Sequence, residues 1–234
     1  LEYVRINYPN PKFSYRFVML PETIGSIAYL SRFLNEMKEN IICGFNLSCV
    51  GDEKAYSHLQ SPYADTLADK ALSSALLGLD NVKTYSFLER GSDERQYCSP
   101  GIELPVCTFC RSKFGEYEEY HTNADNFSVV TENGLQGSLN IIKTIVDAFE
   151  LGLYPLIQTK CEPHLGKRGL YPTISHTTGD IHPAKILTNI LTYCNGKNTI
   201  FDICELTDLN LKEVLDQMKI IYEKNLLIDY FDFH

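Results

Sequence analysis

Between residues 14 and 153, short apolar runs alternate with stretches whose apolar residues return every three or four positions. This alternation constrains the fold more than any other feature. Buried strands separated by amphipathic helices can hide their apolar faces only as a sheet covered by helices. Residues 14–20 (SYRFVML), 41–50 (IICGFNLSCV), 84–88 and 104–109 read as strands. Residues 24–37, 66–79 and 132–153 read as helices, with Ile27, Leu30, Leu34 and Met37 on one face of the first. Leu139, Ile142, Ile145, Val146 and Phe149 line one side of the last. The pattern predicts an α/β fold with a mostly parallel sheet flanked by helices. Functional groups in such sheets gather in loops at the carboxyl ends of strands. The loops at Glu22, at 91–100 and at 117–126 are therefore the ones to inspect.

The pattern stops over residues 154–183, which hold Pro155, Pro163, Pro172 and Pro183 with Gly152, Gly166, Gly169 and Gly179 nearby. Helical spacing resumes at 184–193, 199–205 and 210–224, and residues 226–231 alternate as a strand. Three short helices followed by a β-element is a winged-helix pattern. The expected division is an α/β domain over 1–180 and a winged-helix module over 181–234.

With 44% hydrophobic and 22% charged residues, the chain has the composition of a folded soluble protein. Its net charge of -9 argues against nonspecific binding to nucleic acid or anionic membrane, which needs clustered Lys and Arg. From Pro183 onward there are five Lys, no Arg and eight acidic residues. The third helix of the module alternates its charges, so nucleic acid is not the expected partner despite the winged helix. No apolar run reaches the length a membrane helix needs, and no signal peptide is read at the start. A cytoplasmic protein is expected, and the composition is compatible with a homo-oligomer. The eight cysteines are expected to be free thiols, including Cys107 and Cys110, a lone C-x-x-C pair without the second pair a structural zinc site needs.

Three stretches carry residues suited to chemistry. Glu22 directly follows a predicted strand and precedes a helix, where a carboxylate can act as a general base or merely favour the helix start. His121, within EEYHTNADN, is a metal-ligand type in a polar loop. Asp93, Glu94 and Arg95 follow Gly91 and Ser92, where they can orient a metal ligand or grip a substrate terminus. Tyr117, Tyr120 and Tyr171 can face a substrate or simply pack.

Taken in order, the strand leading into Pro21-Glu22-Thr23-Ile24-Gly25-Ser26, then Ser92-Asp93-Glu94 with Pro100-Gly101-Ile102, then Tyr120-His121-Thr122 with Asp125, resemble the zinc aminopeptidase superfamily. The likeness is nearest to its bacterial aminopeptidase-like branch of polysaccharide-biosynthesis proteins, which also carries a C-terminal winged helix. The segment Gly166-Lys167-Arg168-Gly169-Leu170-Tyr171-Pro172 is similar to that branch as well, and adds Arg168 and Tyr171 to the residues that face the substrate or brace the ligands. The resemblance implies Glu22 as base and His121 as a zinc ligand. Where the superfamily has a second glutamate and an aspartate as ligands, this chain has Thr23 and Ser48. The superfamily takes a further histidine and aspartate from a segment for which this sequence has no room before residue 14. The expectation is thus a C-terminal fragment, inactive by itself, of a parent that holds a single zinc and hydrolyses a small peptide or aminoacyl amide. The alternative is a noncatalytic, peptidase-like binding or regulatory protein, and the loss of ligands at Thr23 and Ser48 favours it.

Overall fold

The computed structural model describes residues 1–170 and 183–229. They form two compact units: one of Leu1 with residues 15–143, the other of residues 2–14 with 144 to the end of the described chain.

In the first unit, α2 (Ile24–Asn40) comes first; the only element before it, α1 (Glu2–Asn7), belongs to the second unit. Then come β1 (Gly44–Leu47), β2 (Tyr56–Leu59), α3 (Leu67–Leu76), β3 (Val82–Tyr85), α4 (Glu94–Tyr97), β4 (Val106–Cys110) and the start of α5 (Glu132–Gly152). The strands make one sheet in the order β1-β4-β2-β3. β1 runs parallel to β4, and β2 parallel to β3, while β2 and β4 are antiparallel. The α/β class with a largely parallel, helix-flanked sheet therefore holds.

α3 begins where it does because Thr66 and Asp69 form a capping box, each side chain accepting the other's backbone N–H. Of the residues whose spacing puts them inward, Ala71, Leu72 and Leu76 are buried and Leu67 and Ala75 half-buried, whereas Leu79 lies exposed beyond the helix end. Central β4 is buried along its whole length. Burial pushes the Cys107 thiol well above its ordinary pKa, so the C-x-x-C pair is core and both thiols are free. α5 starts hard against the turn after β1. A Cβ on Gly134 would stand 2.0 Å from the Gly51 carbonyl oxygen, so only glycine permits the approach.

Residues 14–20 are a correction. The apolar run joins no sheet, and Phe17, Val18 and Met19 are exposed, Met19 at 95%. Apolar residues make a strand only where a neighbour offers backbone partners, and no described strand runs beside this one. β2 was unexpected. Its four residues are too few for a periodic signal, and a histidine sits in the middle.

The second unit contains α1, the end of α5, β5 (Pro155–Ile157), α6 (Pro183–Tyr193), α7 (Ile200–Thr207), α8 (Leu211–Glu223) and β6 (Leu227–Asp229). Thr199 with Asp202 and Asn210 with Glu213 form capping boxes that start α7 and α8. Ile190, Ile200, Phe201, Ile203, Leu211 and Met218 fill the core. Phe201 meets Phe149 edge-on at 5.5 Å, and Phe149 meets Phe13 at 5.3 Å. The winged helix is present, but it does not begin at residue 181. β5 supplies the antiparallel partner of β6, with Leu156 opposite Ile228, so the start of the proline-rich stretch belongs to the wing. Residues 2–14 join it too: Tyr3 and Tyr8 both donate to Asp147 Oδ1 at 2.6 Å, and the Lys12 N–H donates to Glu150. Among the described residues, no helix is long and apolar enough to cross a membrane.

Candidate active site

Thr23 shapes the site. Its φ of 63° and ψ of -71° place a β-branched residue at the centre of a γ-turn, closed by the Ile24 N–H donating to the Glu22 carbonyl at 2.7 Å. This form of the γ-turn is rare and strained, and a β-branched residue at positive φ is an outlier. Such strain costs roughly 1–3 kcal/mol and survives only where the surroundings enforce it. Here the Thr23 N–H donates to Asp93 Oδ1 at 2.7 Å, and Arg95 Nη2 donates to Thr23 Oγ1 at 2.9 Å. Arg95 is itself fixed by its Nε, which donates to the Ser92 carbonyl at 2.9 Å. The turn projects Glu22 outward, with 59% of its side chain exposed and Oε1 4.0 Å from Arg95 Nη2.

Glu94 does a different job. It is fully buried, and its carboxylate accepts from the Gly91 and Ser92 N–H groups, from Asn46 Nδ2 and from Thr108 Oγ1, all within 2.7–2.9 Å. Asn46 and Thr108 are register partners on β1 and β4, so Glu94 ties the loop carrying Asp93 and Arg95 to the sheet. With its lone pairs so occupied, Glu94 is a brace rather than a substrate contact. Asn46 and Thr108 went unnoticed in the sequence; the available signal was a polar residue at a buried strand position.

The loop after β4 supplies the other half. Just beyond the parallel strand ends, the Arg111 N–H donates to the Cys49 carbonyl, and Cys49 has a φ of 49°. The Tyr117 hydroxyl lies 3.6 Å from Cys49 Sγ and 3.1 Å from Asp125 Oδ2. Burial, then Cys49 and Asp125, push that hydroxyl's pKa far up. Tyr117 meets Tyr120 edge-on, and the Tyr120 ring stacks on His121 with centroids 3.8 Å apart. Burial first, then the charges of Cys49 and Glu22, raise the Tyr120 pKa, which puts Glu22 within electrostatic reach of Tyr120. Tyr120 thus touches His121 directly and feels Glu22 only through its charge. His121 is exposed, with a φ of 59°.

Of the remaining expected site residues, Arg168 donates from Nη1 to the Lys224 carbonyl at 3.2 Å within the second unit. Tyr171 lies outside the described residues. The metal expectation was tested on the donors themselves. Catalytic zinc needs three protein ligands, and among the described residues no three such donors gather around Glu22 and His121. These residues alone do not fit a catalytic zinc. Among the described residues, the one converging trio is elsewhere: His58, Asp69 and Cys107, all buried, with ligand atoms within 4.8 Å of one another. It is a hydrogen-bonded core, because Asp69 already accepts from His58 Nε2, from the Ser61 and Thr66 N–H groups and from both their hydroxyls.

Comparison with known proteins agrees with this architecture. A crystal structure of a candidate peptidase from Clostridium acetobutylicum superimposes with a TM-score of 0.78 at 33% identity, over 93% of this chain and 49% of that one. A C. acetobutylicum protein named for polysaccharide biosynthesis and an aminopeptidase-like domain is 34% identical over 218 residues, which is 92% of this chain and 50% of that relative. Residues 153–229 match a winged helix-turn-helix model. The class is therefore a peptidase-like α/β fold joined to a winged helix. Residues 4–152 match the model of a domain of unknown function, DUF4910, and the chain belongs to that family. It spans about half the length of the relatives it matches.

Proposed function

We propose that this chain is the part of an aminopeptidase-like amide hydrolase that supplies the general base, Glu22, and one zinc ligand, His121. The reading requires further ligands from outside the described residues. The observation that carries the reading is the γ-turn at Thr23. A β-branched residue is held in a costly conformation by Asp93 and Arg95, and what the turn presents is a solvent-facing carboxylate. Strain maintained by dedicated partners is a signature of functional loops. Glu22 takes a proton from water and hands it to the leaving amine, a role worth about 10²–10⁴-fold in rate. Arg95 Nη2, 4.0 Å away, faces that carboxylate. His121, joined by the further ligands, would hold a zinc that would supply carbonyl polarisation and an acidified water. The substrate is a small peptide or aminoacyl amide, with a place in polysaccharide biosynthesis suggested by the relative's name, and the setting is the cytoplasm.

Two measurements test this. Zinc titrated into the chain alone should bind weakly, and His121→Ala should abolish that binding. In the natural full-length protein, aminoacyl p-nitroanilides should be hydrolysed, and Glu22→Gln should cut kcat at least about 100-fold with zinc content unchanged. If the full-length protein binds no zinc and hydrolyses nothing, the noncatalytic reading, which Thr23 and Ser48 favour, replaces this one.

A further inference from the structure

We infer a second reactive centre in the first unit, unrelated to Glu22: Ser73 is an activated nucleophile at the mouth of a small apolar cleft, able to accept an acyl group from a short ester. Asp69 is 2% exposed and holds His58 Nε2 at 3.0 Å. On the far side of the ring, His58 Nδ1 lies 3.3 Å from Ser73 Oγ. The three residues come from two elements: β2 gives His58, the first turn of α3 gives Asp69, and the last turn of the same helix gives Ser73.

The direction of the hydrogen bonds follows from the acid. Burial raises the Asp69 pKa, but the hydrogen bonds from His58, Ser61 and Thr66 outweigh it and bring it down to about 2. Asp69 is therefore an anion and can only accept. In the neutral ring, Nε2 must carry the proton, which leaves the Nδ1 lone pair facing the Ser73 hydroxyl. This is the logic of a serine nucleophile with a base oriented by a carboxylate. Asp69 and His58 are buried, while Ser73 is exposed. A cavity of about 250 Å³ opens at His58 and Ser73, walled by Leu76, Leu77, Leu79 and Val82. Its size and apolar walls suit a short acyl chain.

In the reaction, Ser73 Oγ bonds to the ester carbonyl carbon and the ester C–O bond breaks. The hydroxyl proton passes to His58 Nδ1 and on to the departing alkoxide. Water later releases the acid and restores Ser73. No guanidinium or side-chain amide lines the cavity to stabilise an oxyanion. Ester turnover, whose two halves both pass through an oxyanion, is therefore slow, and reaction with a pre-activated electrophile is the quantity to read.

The experiment incubates the intact chain with an alkyl fluorophosphonate and maps the adduct by mass spectrometry. Ser73 should be labelled at least tenfold faster than Ser31, an exposed serine on α2, and Ser73→Ala should remove the adduct. Chelators and Glu22→Gln should leave labelling unchanged, which separates this centre from the hydrolase reading. Because His58→Gln touches the core, a milder pair supports it: Ser73→Cys should be alkylated by iodoacetamide faster at neutral pH than Ser31→Cys. Ser73 labelling no faster than Ser31, or equal thiol rates, overturns the inference.

Discussion

The winged-helix unit and the loops around Glu22 obey opposite rules. In the second unit, α7 and α8 each begin with a capping box, and the positive-φ residues Asp208 and Asn225 are types that tolerate that conformation. Around Glu22, α2 starts with no side-chain cap, and its N-cap residue is the strained Thr23. Local preference and global fold agree in one region and conflict in the other. Such conflicts are tolerated where function requires them. The contrast separates a scaffold built for stability from a loop cluster built to present groups.

The largest expected break in this contrast is in the second unit. Phe201 is 1% exposed, so Phe201→Ala should cost about 3–5 kcal/mol in urea unfolding followed by circular dichroism. A loss below about 1 kcal/mol would mean that the unit is loosely packed. Next comes acid sensitivity in the first unit. The Asp69 pKa falls from the ordinary 3.8 to about 2 on folding. A lowered carboxylate contributes stability above its unfolded pKa and loses it as pH drops through the folded one. About 2 kcal/mol should therefore disappear between pH 4 and pH 2, and Asp69→Asn should flatten that part of the curve. The smallest effects give the sharpest comparison, because they differ in sign. Asn210→Ala should destabilise by about 1 kcal/mol by removing a cap. Thr23→Gly should stabilise by up to about 1 kcal/mol by relieving the γ-turn strain. Thermal melts of the two variants moving in the same direction would erase the distinction.

Helices were the most legible part of the sequence. Residues 66–79 and 132–153 gave themselves away because burial repeats with the helical period, and the Thr66 cap sits where the pattern begins. Strands were less legible. Residues 14–20 are as apolar as any strand here, yet pairing depends on a neighbour that a local pattern does not encode. Pro155–Ile157 escaped notice because a short run that starts with proline resembles a turn. At the site, the chemical types of Glu22, Asp93, Arg95 and His121 were visible. The strain at Thr23 was not, since it arises from Asp93 and Arg95, some 70 residues away in the chain. The Ser73–His58–Asp69 relay was equally hidden, because it depends on β2 lying beside α3.

The clasp of Tyr3 and Tyr8 on Asp147 has a consequence for how the molecule is made. These pairs are 144 and 139 positions apart. A ribosome that has released residues 2–14 must extrude the entire α/β unit before their acceptor emerges. The winged-helix unit is thus assembled from two stretches of chain that synthesis separates by a whole folded unit, and it closes only after that unit has been made.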